Sequence, residues 1–379
     1  PEARMDGPLA IPELVEQLAG LEAPAAAWET EILPARLAGY GPALLDDACL
    51  AGRVAWARLM PINGGARRQG RRTTPLKSTP ITLVPRRDAR IWASLPLATT
   101  PISVSANAAK VADFIGENGA SFFEEIVAGT HLLRAQVEDV LAELVALGLV
   151  SSDSFAGLRA LLTPSGERRS SLKHRRRASR LESAGRWALA WPNQLKRSRA
   201  APDQGDCVEH VARTLLRRYG VVFLRMLERE AAWLPKWRDL LRVYRRLEAR
   251  GEIRGGRFVA GFSGEQFALP EAVGRLREVR RQDAGGTLIS LSGADPLNLA
   301  GVLAPGPKLP ALTGNRILYR DGIPLALLQG NEVQFLQELD PRSEALARTA
   351  LLRHAKASPL LCRRAGAERT EAPAEAPAS

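Results

Sequence analysis

Cysteine is scarce. The 379 residues hold three, Cys49, Cys207 and Cys362. They are far apart and odd in number, which argues against a disulfide framework and fits a reducing compartment. Cys207 and His210 stand three apart with no second ligand pair behind them, short of the roughly four ligands a structural zinc needs. No metal is expected, and ordinary helix positions account for both residues. No run of about 18 apolar residues occurs, so no membrane-spanning helix is expected. Pro1 is not followed by a basic segment and an apolar one, so neither is a signal peptide. A start at Pro1 without methionine reads as a piece of something longer. The chain also lacks a Gly-x-x-x-x-Gly-Lys-Ser/Thr phosphate loop and an Asp-Glu-x-His motif. Without a phosphate cradle it is not expected to hydrolyse ATP, and it is expected to carry no cofactor.

Acidic residues are outnumbered. Forty-one Asp and Glu face 53 Lys and Arg, for a formal charge of +12. Neutralising phosphates releases condensed counterions, so this excess favours a nucleic-acid partner over a merely basic protein. The hydrophobic share of 45% is that of a globular chain. The length allows roughly two to four domains.

A local order of helix, helix, longer helix and short hairpin recurs. The clearest copy spans Ala106 to about Ala156. Asn107 is placed to cap a helix over Ala108–Glu117, Gly119 ends it, and Phe122–Ala128 forms a short second helix. Thr130 is placed to cap His131–Leu147, whose apolar residues keep helical spacing up to Gly148. This is the winged helix-turn-helix plan. A second copy runs from Asp206 to about Leu269, with helices over Val208–Arg218, Val222–Glu230 and Trp237–Ala249. Its wing is a hairpin turning at Gly255-Gly256. A weaker copy opens the chain with Ile11–Leu21, Glu29–Ala38 and Gly41–Ala51, and a wing starting at Gly52–Trp56. The Gly- and Arg-rich stretch Asn63–Thr74 and the basic stretch Ser165–Arg180 read as linkers. The second is either a solvated loop or a strap that tracks phosphates.

From Thr287 the period changes to two, with strands over Leu288–Leu291, Arg316–Tyr319, Ile323–Leu328 and Val333–Leu336. Short strands without long helices suggest a small barrel. A helix over Ser343–His354 and an Ala-, Pro- and Glu-rich tail follow. The expected fold class is α+β and mostly helical, with tandem winged-helix units followed by a small β-barrel. The expected boundaries are a winged-helix-like unit over 1–62, a linker and extended segment over 63–105, and a winged helix over 106–162. A basic linker over 163–200, a winged helix over 201–286, the barrel over 287–340, and a helix with tail over 341–379 complete the set.

Several long motifs resemble one family. They are YGVVF at Tyr219–Phe223, WRDLLRVYRRLEARGEIRGGRFV at Trp237–Val259, GFSGEQFALP at Gly261–Pro270, SGADPLNLAG at Ser292–Gly301, LTGNRILYRDG at Leu312–Gly322 and GYGPALLDDACLAGRVAWARL at Gly39–Leu59. Together they resemble the C-terminal region of Lhr-type (large helicase-related) DNA helicases. The resemblance implies a non-motor region of an ATP-driven 3′-to-5′ DNA repair helicase. ATP and Mg would be bound by the missing helicase core in the same polypeptide. The +12 charge and the linker arginines point to single-stranded or tailed DNA as partner, and the resemblance further implies a homo-oligomer (a tetramer among the options) and a cytoplasmic, nucleoid-associated location. The architecture also resembles AlkZ-type DNA glycosylases, so two other functions stand beside the first: a glycosylase excising a damaged or deaminated base such as uracil, and a pure oligomerisation scaffold. AlkZ-type enzymes carry Gln-x-Gln or Gln-x-Asp. The triplet read here as nearest is Gln136-Val137-Glu138, on a helix in a different context.

Third helices of winged helices enter the major groove. Over Trp237–Ala249, Trp237, Leu240, Leu241, Tyr244 and Leu247 share one face, and Arg238, Arg242, Arg245 and Arg246 lie opposite. Arg254 and Arg257 on the wing extend that basic surface, with no carboxylate expected inside the stripe. The other two third helices present Glu138, Asp139 and Glu143, or Asp46 and Asp47, which would repel DNA. For base excision the candidate catalytic carboxylates are Asp321 and Asp295, both in the expected barrel. Turn chemistry explains both without function, since Asp321 precedes Gly322 and Asp295 precedes Pro296.

Overall fold

A computed structural model describes residues 4–7, 9–60, 77–95, 104–162, 181, 184–190, 203–303 and 307–356. In the first unit, α1 (Ala10–Leu18) buries Ile11, Leu14, Val15 and Leu18, one stripe at helical spacing. A short strand β1 (Ala23–Pro24) leads into α2, which runs through Ala25–Ala27, a π turn over Trp28–Ile32, and Leu33–Arg36. The buried Trp28 indole donates to the Ile81 carbonyl at 2.9 Å. α3 (Pro42–Leu50) is followed by the wing strands β2 (Val54–Ala57) and β3 (Pro80–Pro85). β3 lies between β1 and β2. The stretch read as linker and extended segment therefore supplies the middle strand of this sheet, and also α4 (Ala89–Ser94). The Gly- and Arg-rich run Asn63–Thr74 lies outside the described residues.

The second unit holds α5 (Ala106–Asn118), β4 (Ser121–Phe122), α6 (Phe123–Thr130), α7 (Arg134–Ala146), β5 (Val150–Ser152), α8 (Phe155–Leu161) and β6 (Arg186–Leu189). Its caps differ from those expected. Ser105, not Asn107, accepts the Ala108 N–H at 3.2 Å. Thr130 ends α6, its hydroxyl donating back to the Ile126 carbonyl at 2.6 Å. His131 then turns the chain through a left-handed φ of 52°. The third helix begins at Arg134, with the Gln136 side chain accepting the Leu133 N–H at 2.9 Å. The basic stretch Ser165–Arg180 lies outside the described residues.

The third unit holds α9 (Gln204–Tyr219), β7 (Val221–Val222), a 3₁₀ turn over Leu224–Arg229, α10 (Trp237–Ala249), β8 (Arg254–Gly256), β9 (Gln266–Ala268) and α11 (Pro270–Arg281). The 3₁₀ turn replaces the expected helix over Val222–Glu230. The wing also differs. Gly255 and Gly256 lie within β8, opposite Phe267 and Gln266, and the chain reverses through residues 257–265. A Cβ on Gly255 would come within 2.2 Å of Glu248 Oε1. The glycine thus leaves room for that carboxylate, which accepts the Gly255 N–H at 3.1 Å. All three units share one sheet order: the short strand after the first helix, then the second wing strand, then the first, as β1-β3-β2, β4-β6-β5 and β7-β9-β8.

The last sheet corrects the expected barrel. β10 (Leu288–Ser292), β11 (Arg316–Arg320), β12 (Ile323–Gln329) and β13 (Glu332–Phe335) form an antiparallel meander in that order. β10 and β13 are edges and do not pair, so the sheet is open. Closure needs a strand pairing between the edges; here α12 (Pro341–Lys356) instead covers Leu318, Leu325, Ala326 and Leu328 with Ala347 and Leu351.

The units are not beads on a string. One continuous core joins the first two, from Leu14, Trp28 and Trp56 to Leu141, Phe155 and Trp187. The Trp56 indole donates across it to the Ser154 carbonyl at 3.0 Å. A second core joins the first unit to the third through Ala19, Val84 and Trp92, packed with Val211, Leu215, Leu240 and Tyr244. At that joint Gly20 adopts φ +83°, and a Cβ there would meet the Trp92 ring at 2.0 Å. Gly20→Ala should therefore destabilise the protein by about 3 kcal/mol, combining a left-handed alanine with overpacking. Thermal unfolding measures it, and an unchanged midpoint would refute this account of the joint.

Candidate nucleic-acid interface

The three third-position helices share a fold and differ in what covers them. α3 lies against the second unit. Its Asp46 accepts the Ala156 N–H at 2.8 Å and the Ser154 hydroxyl at 3.2 Å, and pairs with Arg159 at 3.1 Å. Arg159 also pairs with Glu29 at 2.8 Å. α7 is buried nearly all round, through Val137, Val140, Leu141, Ala142, Leu144, Val145 and Ala146. The expected exposed acidic face is corrected here: Glu138 is only 4% exposed, and the half-buried Glu143 accepts the Ser105 N–H at 2.9 Å and its hydroxyl at 2.8 Å. Glu143 thereby ties α7 to the start of α5.

α10 buries one stripe alone, Leu240, Val243, Tyr244 and Leu247. The Tyr244 ring stacks on Phe267 of the wing at 5.3 Å. Its opposite face carries Arg238, Arg242, Arg245 and Arg246, all exposed, and Arg254 and Arg257 on the wing are exposed as well. Among the described residues, α10 is the third-position helix with an uncovered cationic face. The stripe does contain carboxylates, contrary to expectation. Arg242 pairs with Asp239 at 3.1 Å, and Arg245 makes two bonds to Glu265 of the wing loop, at 2.8 and 3.1 Å. Arg246 lies 3.7 Å from Glu209. No described carboxylate pairs with Arg254 or Arg257. Asp239 sits one turn below Arg242, where the i,i+3 geometry brings them together. Glu265 is distant in sequence and reaches Arg245 because the wing folds back.

The wing loop is held by a side chain that the sequence did not single out. Gln266 is fully buried; its carbonyl oxygen accepts the N–H groups of Phe258 and Val259, both at 2.8 Å, and its amide donates to the Val259 carbonyl at 2.9 Å. Phe258, Val259 and Phe262 pack beside Val221, Phe223 and Met226. Arg257 therefore projects from an anchored loop.

The two candidate catalytic aspartates are not brought together into one site. Asp295 is 2% exposed and forms a bidentate pair with Arg36 of the first unit, at 2.7 and 2.9 Å. Its Oδ1 also accepts the Leu297 N–H at 2.9 Å. Asp321 is exposed at the β11–β12 turn with φ 49°. Its carboxylate accepts the N–H groups of Gly286 at 2.9 Å and Thr287 at 2.8 Å. Reading Gln136-Val137-Glu138 as the nearest AlkZ-like triplet passes over Gln204-Gly205-Asp206, a literal Gln-x-Asp. It forms the exposed first turn of α9, capped by Asp203.

A buried polar seam between the first and third units was not legible in the sequence. Arg218 donates to Glu230 and, at 2.6 Å, to the Ala19 carbonyl; Tyr219 donates to the same Glu230 oxygen at 2.7 Å. Beside it, Glu22 accepts the Trp233 indole N–H at 3.0 Å. Burial pushes the Glu22 carboxyl above its usual range, against the lowering effects of the Trp233 hydrogen bond and of Arg58, and the Glu230 charge adds to the rise.

Fold and surface define a tandem winged-helix protein with a cationic third unit. More particularly, models of the large helicase-related protein winged-helix domain match residues 1–86 and 201–288, which span the first and third units. Over most of its length the chain is similar to Lhr proteins. It is 27% identical over 329 residues to the Lhr helicase/uracil glycosylase of Escherichia coli (strain K12), covering 79% of this chain and 20% of that protein. It is 29% identical over 351 residues to the Lhr helicase/probable uracil glycosylase of Mycolicibacterium smegmatis, covering 86% of this chain and 21% of that one. The chain thus spans about a fifth of the length of these relatives. Among solved structures, the Streptomyces sahachiroi DNA glycosylase AlkZ superposes with a TM-score of 0.46 at 13% identity, covering 91% of this chain and 90% of that one.

The Arg36–Asp295 pair yields a structural test. Asp295→Asn removes the charge that Arg36 faces in a largely desolvated contact, which should cost about 2–4 kcal/mol. Thermal unfolding and hydrogen exchange measure it. Protection should fall in β10 to β13 and hold in α10; equal protection in both variants would show that the pair does not anchor the sheet.

Proposed function

We propose that this chain is a non-motor DNA-binding region of a large helicase-related protein, with α10 and its wing as the principal contact. The observation that carries this reading is the exposed cationic face of α10, set against α7, which is buried nearly all round, and α3, whose exposed residues Pro42, Ala43, Leu44, Asp47 and Leu50 include no cation. Single-stranded or tailed DNA is the proposed partner, and a nucleoid-associated location goes with it. The helicase core in the parent polypeptide would bind ATP and Mg. Assembly into a homo-oligomer such as a tetramer is part of the same proposal, and a native mass equal to one chain would remove it.

The ion pairs on the stripe decide which arginines matter most. Arg242 and Arg245 must exchange Asp239 and Glu265 for phosphates, whereas Arg254 and Arg257 have no carboxylate to give up. Arg254→Gln with Arg257→Gln should therefore lower the slope of log affinity against log salt by about two units. Arg242→Gln with Arg245→Gln should lower it by less. Glu265→Gln should tighten binding, because it frees Arg245. Titrations of a tailed oligonucleotide at several salt concentrations read all three variants. A flat salt dependence in the parent chain would end the reading.

A second reading, excision of a damaged or deaminated base such as uracil, is favoured by Glu22. It is a half-buried carboxyl held above its usual range beside the Trp233 indole, and a carboxyl so tuned suits proton transfer. Asp295 and Asp321 remain the candidates that turn positions suggest. In this reading Glu22→Gln abolishes excision from a uracil-containing oligonucleotide and leaves its binding unchanged. Excision that survives Glu22→Gln and fails in Asp321→Asn would transfer the role to Asp321.

A further inference from the structure

α11 leaves the third unit directly after the wing strand β9. Its first turn is seated: a Cβ on Gly220 would come within 3.0 Å of the Ala272 Cβ, and Val273 packs beside Val221 and Phe223. Beyond that turn no described residue buries it. No residue of the helix is buried, and every residue from Gly274 to Ile289 is exposed. Leu276 is 40% and Val279 64% exposed. A helix of 12 residues is marginal in water without tertiary support, so a helix held by one turn is built to meet something.

Its side chains say what. Ala272, Leu276 and Val279, at i, i+4 and i+7, form one stripe. At about 100° per residue, Arg280 borders the stripe on one edge and Arg275 on the other. Arg277 and Arg281 continue beyond Arg280, while Glu271 and Glu278 lie on the far side, beyond Arg275. Arg275 is paired with Glu278 at 3.1 Å. Arg277, Arg280 and Arg281 have no described carboxylate within ion-pair distance. A second copy of this helix does not fit the stripe, because Arg275 and Arg280 on its two edges would face arginines of the copy. An anionic membrane surface is a poor fit too, since the exposed apolar part is two aliphatic residues without an aromatic anchor. A phosphate backbone fits both features: guanidiniums bind phosphates, and Leu276 and Val279 can lie against sugars.

We infer that α11 is a second nucleic-acid contact, an arm that lays Arg277, Arg280 and Arg281 along the phosphate backbone of DNA held by α10 and the wing. This rests on the DNA-binding reading above and adds a surface to it.

The test uses the full chain and a tailed oligonucleotide. Arg277→Gln, Arg280→Gln and Arg281→Gln together should lower the salt slope by about two to three units and weaken binding at least about tenfold at physiological salt. The unfolding midpoint and native mass should not change, because no substituted side chain is buried. Leu276→Asp with Val279→Asp should also weaken binding without unfolding the chain. If the triple variant keeps the parent slope while Arg254→Gln with Arg257→Gln lowers it, α11 is not on the DNA and the inference is overturned, though the DNA reading stands. If the parent chain itself binds no DNA, that reading fails first. A native mass that falls in the aspartate variant at unchanged slope assigns the stripe to self-association. Flotation with phosphatidylserine vesicles, lost in the triple variant while DNA binding persists, assigns the helix to membranes. Either result overturns the inference.

Discussion

The Arg218 guanidinium is 1% exposed and faces a Glu230 carboxylate that is 2% exposed. Taking two such charges out of water is expensive, and it is tolerated only where geometry and further hydrogen bonds compensate. Here Tyr219 and the Ala19 carbonyl supply those bonds. Because Ala19 belongs to the first unit, the pair is satisfied in one orientation of the third unit on the first. That orientation turns the Leu240, Val243, Tyr244 and Leu247 stripe inward and leaves the arginine face of α10 outward.

The same constraint explains how three copies of one fold come to expose different surfaces. Each unit has an apolar stripe on its third helix to bury, and each buries it in a core shared with a neighbouring unit. What differs is the second surface. α3 gives its Asp46 to the start of α8, α7 disappears between α5, α6 and its own sheet, and α10 keeps its second surface open. The first two units pack on one another, and the third keeps an exposed arginine face. The open sheet is tied to the same scaffold through Arg36–Asp295 and through Arg316–Glu31, the latter at 2.6 Å. Residues that look like isolated turn carboxylates in the sequence thus act as fasteners between distant parts of the chain.

Charge follows this division. Residues 203–281 hold 17 Arg and Lys against 11 Asp and Glu, half of the net excess in about a fifth of the chain. The excess is not free on the surface: Asp239, Glu209 and Glu265 already neutralise part of the α10 face. Any polyanion must displace those carboxylates or approach by Arg254 and Arg257 of the wing and Arg277, Arg280 and Arg281 of α11, which have no described carboxylate partner. Screening by salt acts on these exposed groups and hardly on the Arg218 pair. Binding is therefore expected to be salt-sensitive where folding is not.

Local pattern determined a good deal. The limits of α10 at Trp237 and Ala249 and its two faces follow from helical spacing alone. So do the β11–β12 hairpin around Asp321-Gly322 and the order of helices in the winged-helix units, because these depend on residues within a few turns or one hairpin of each other; the second wing strands of the first two units, β3 and β6, come from stretches read as linkers. Tertiary structure decided the rest. The cap at Ser105, the wing that turns beyond Gly255-Gly256, the sheet that stays open, the burial of Glu138 and the partners of Asp295 each depend on groups tens to hundreds of residues away. Spacing shows which face of a helix is polar. Whether that face meets water, another unit or a phosphate depends on what packs against it, and a carboxylate changes from repulsive to structural when an arginine or a backbone N–H from elsewhere in the chain is brought within 3 Å of it.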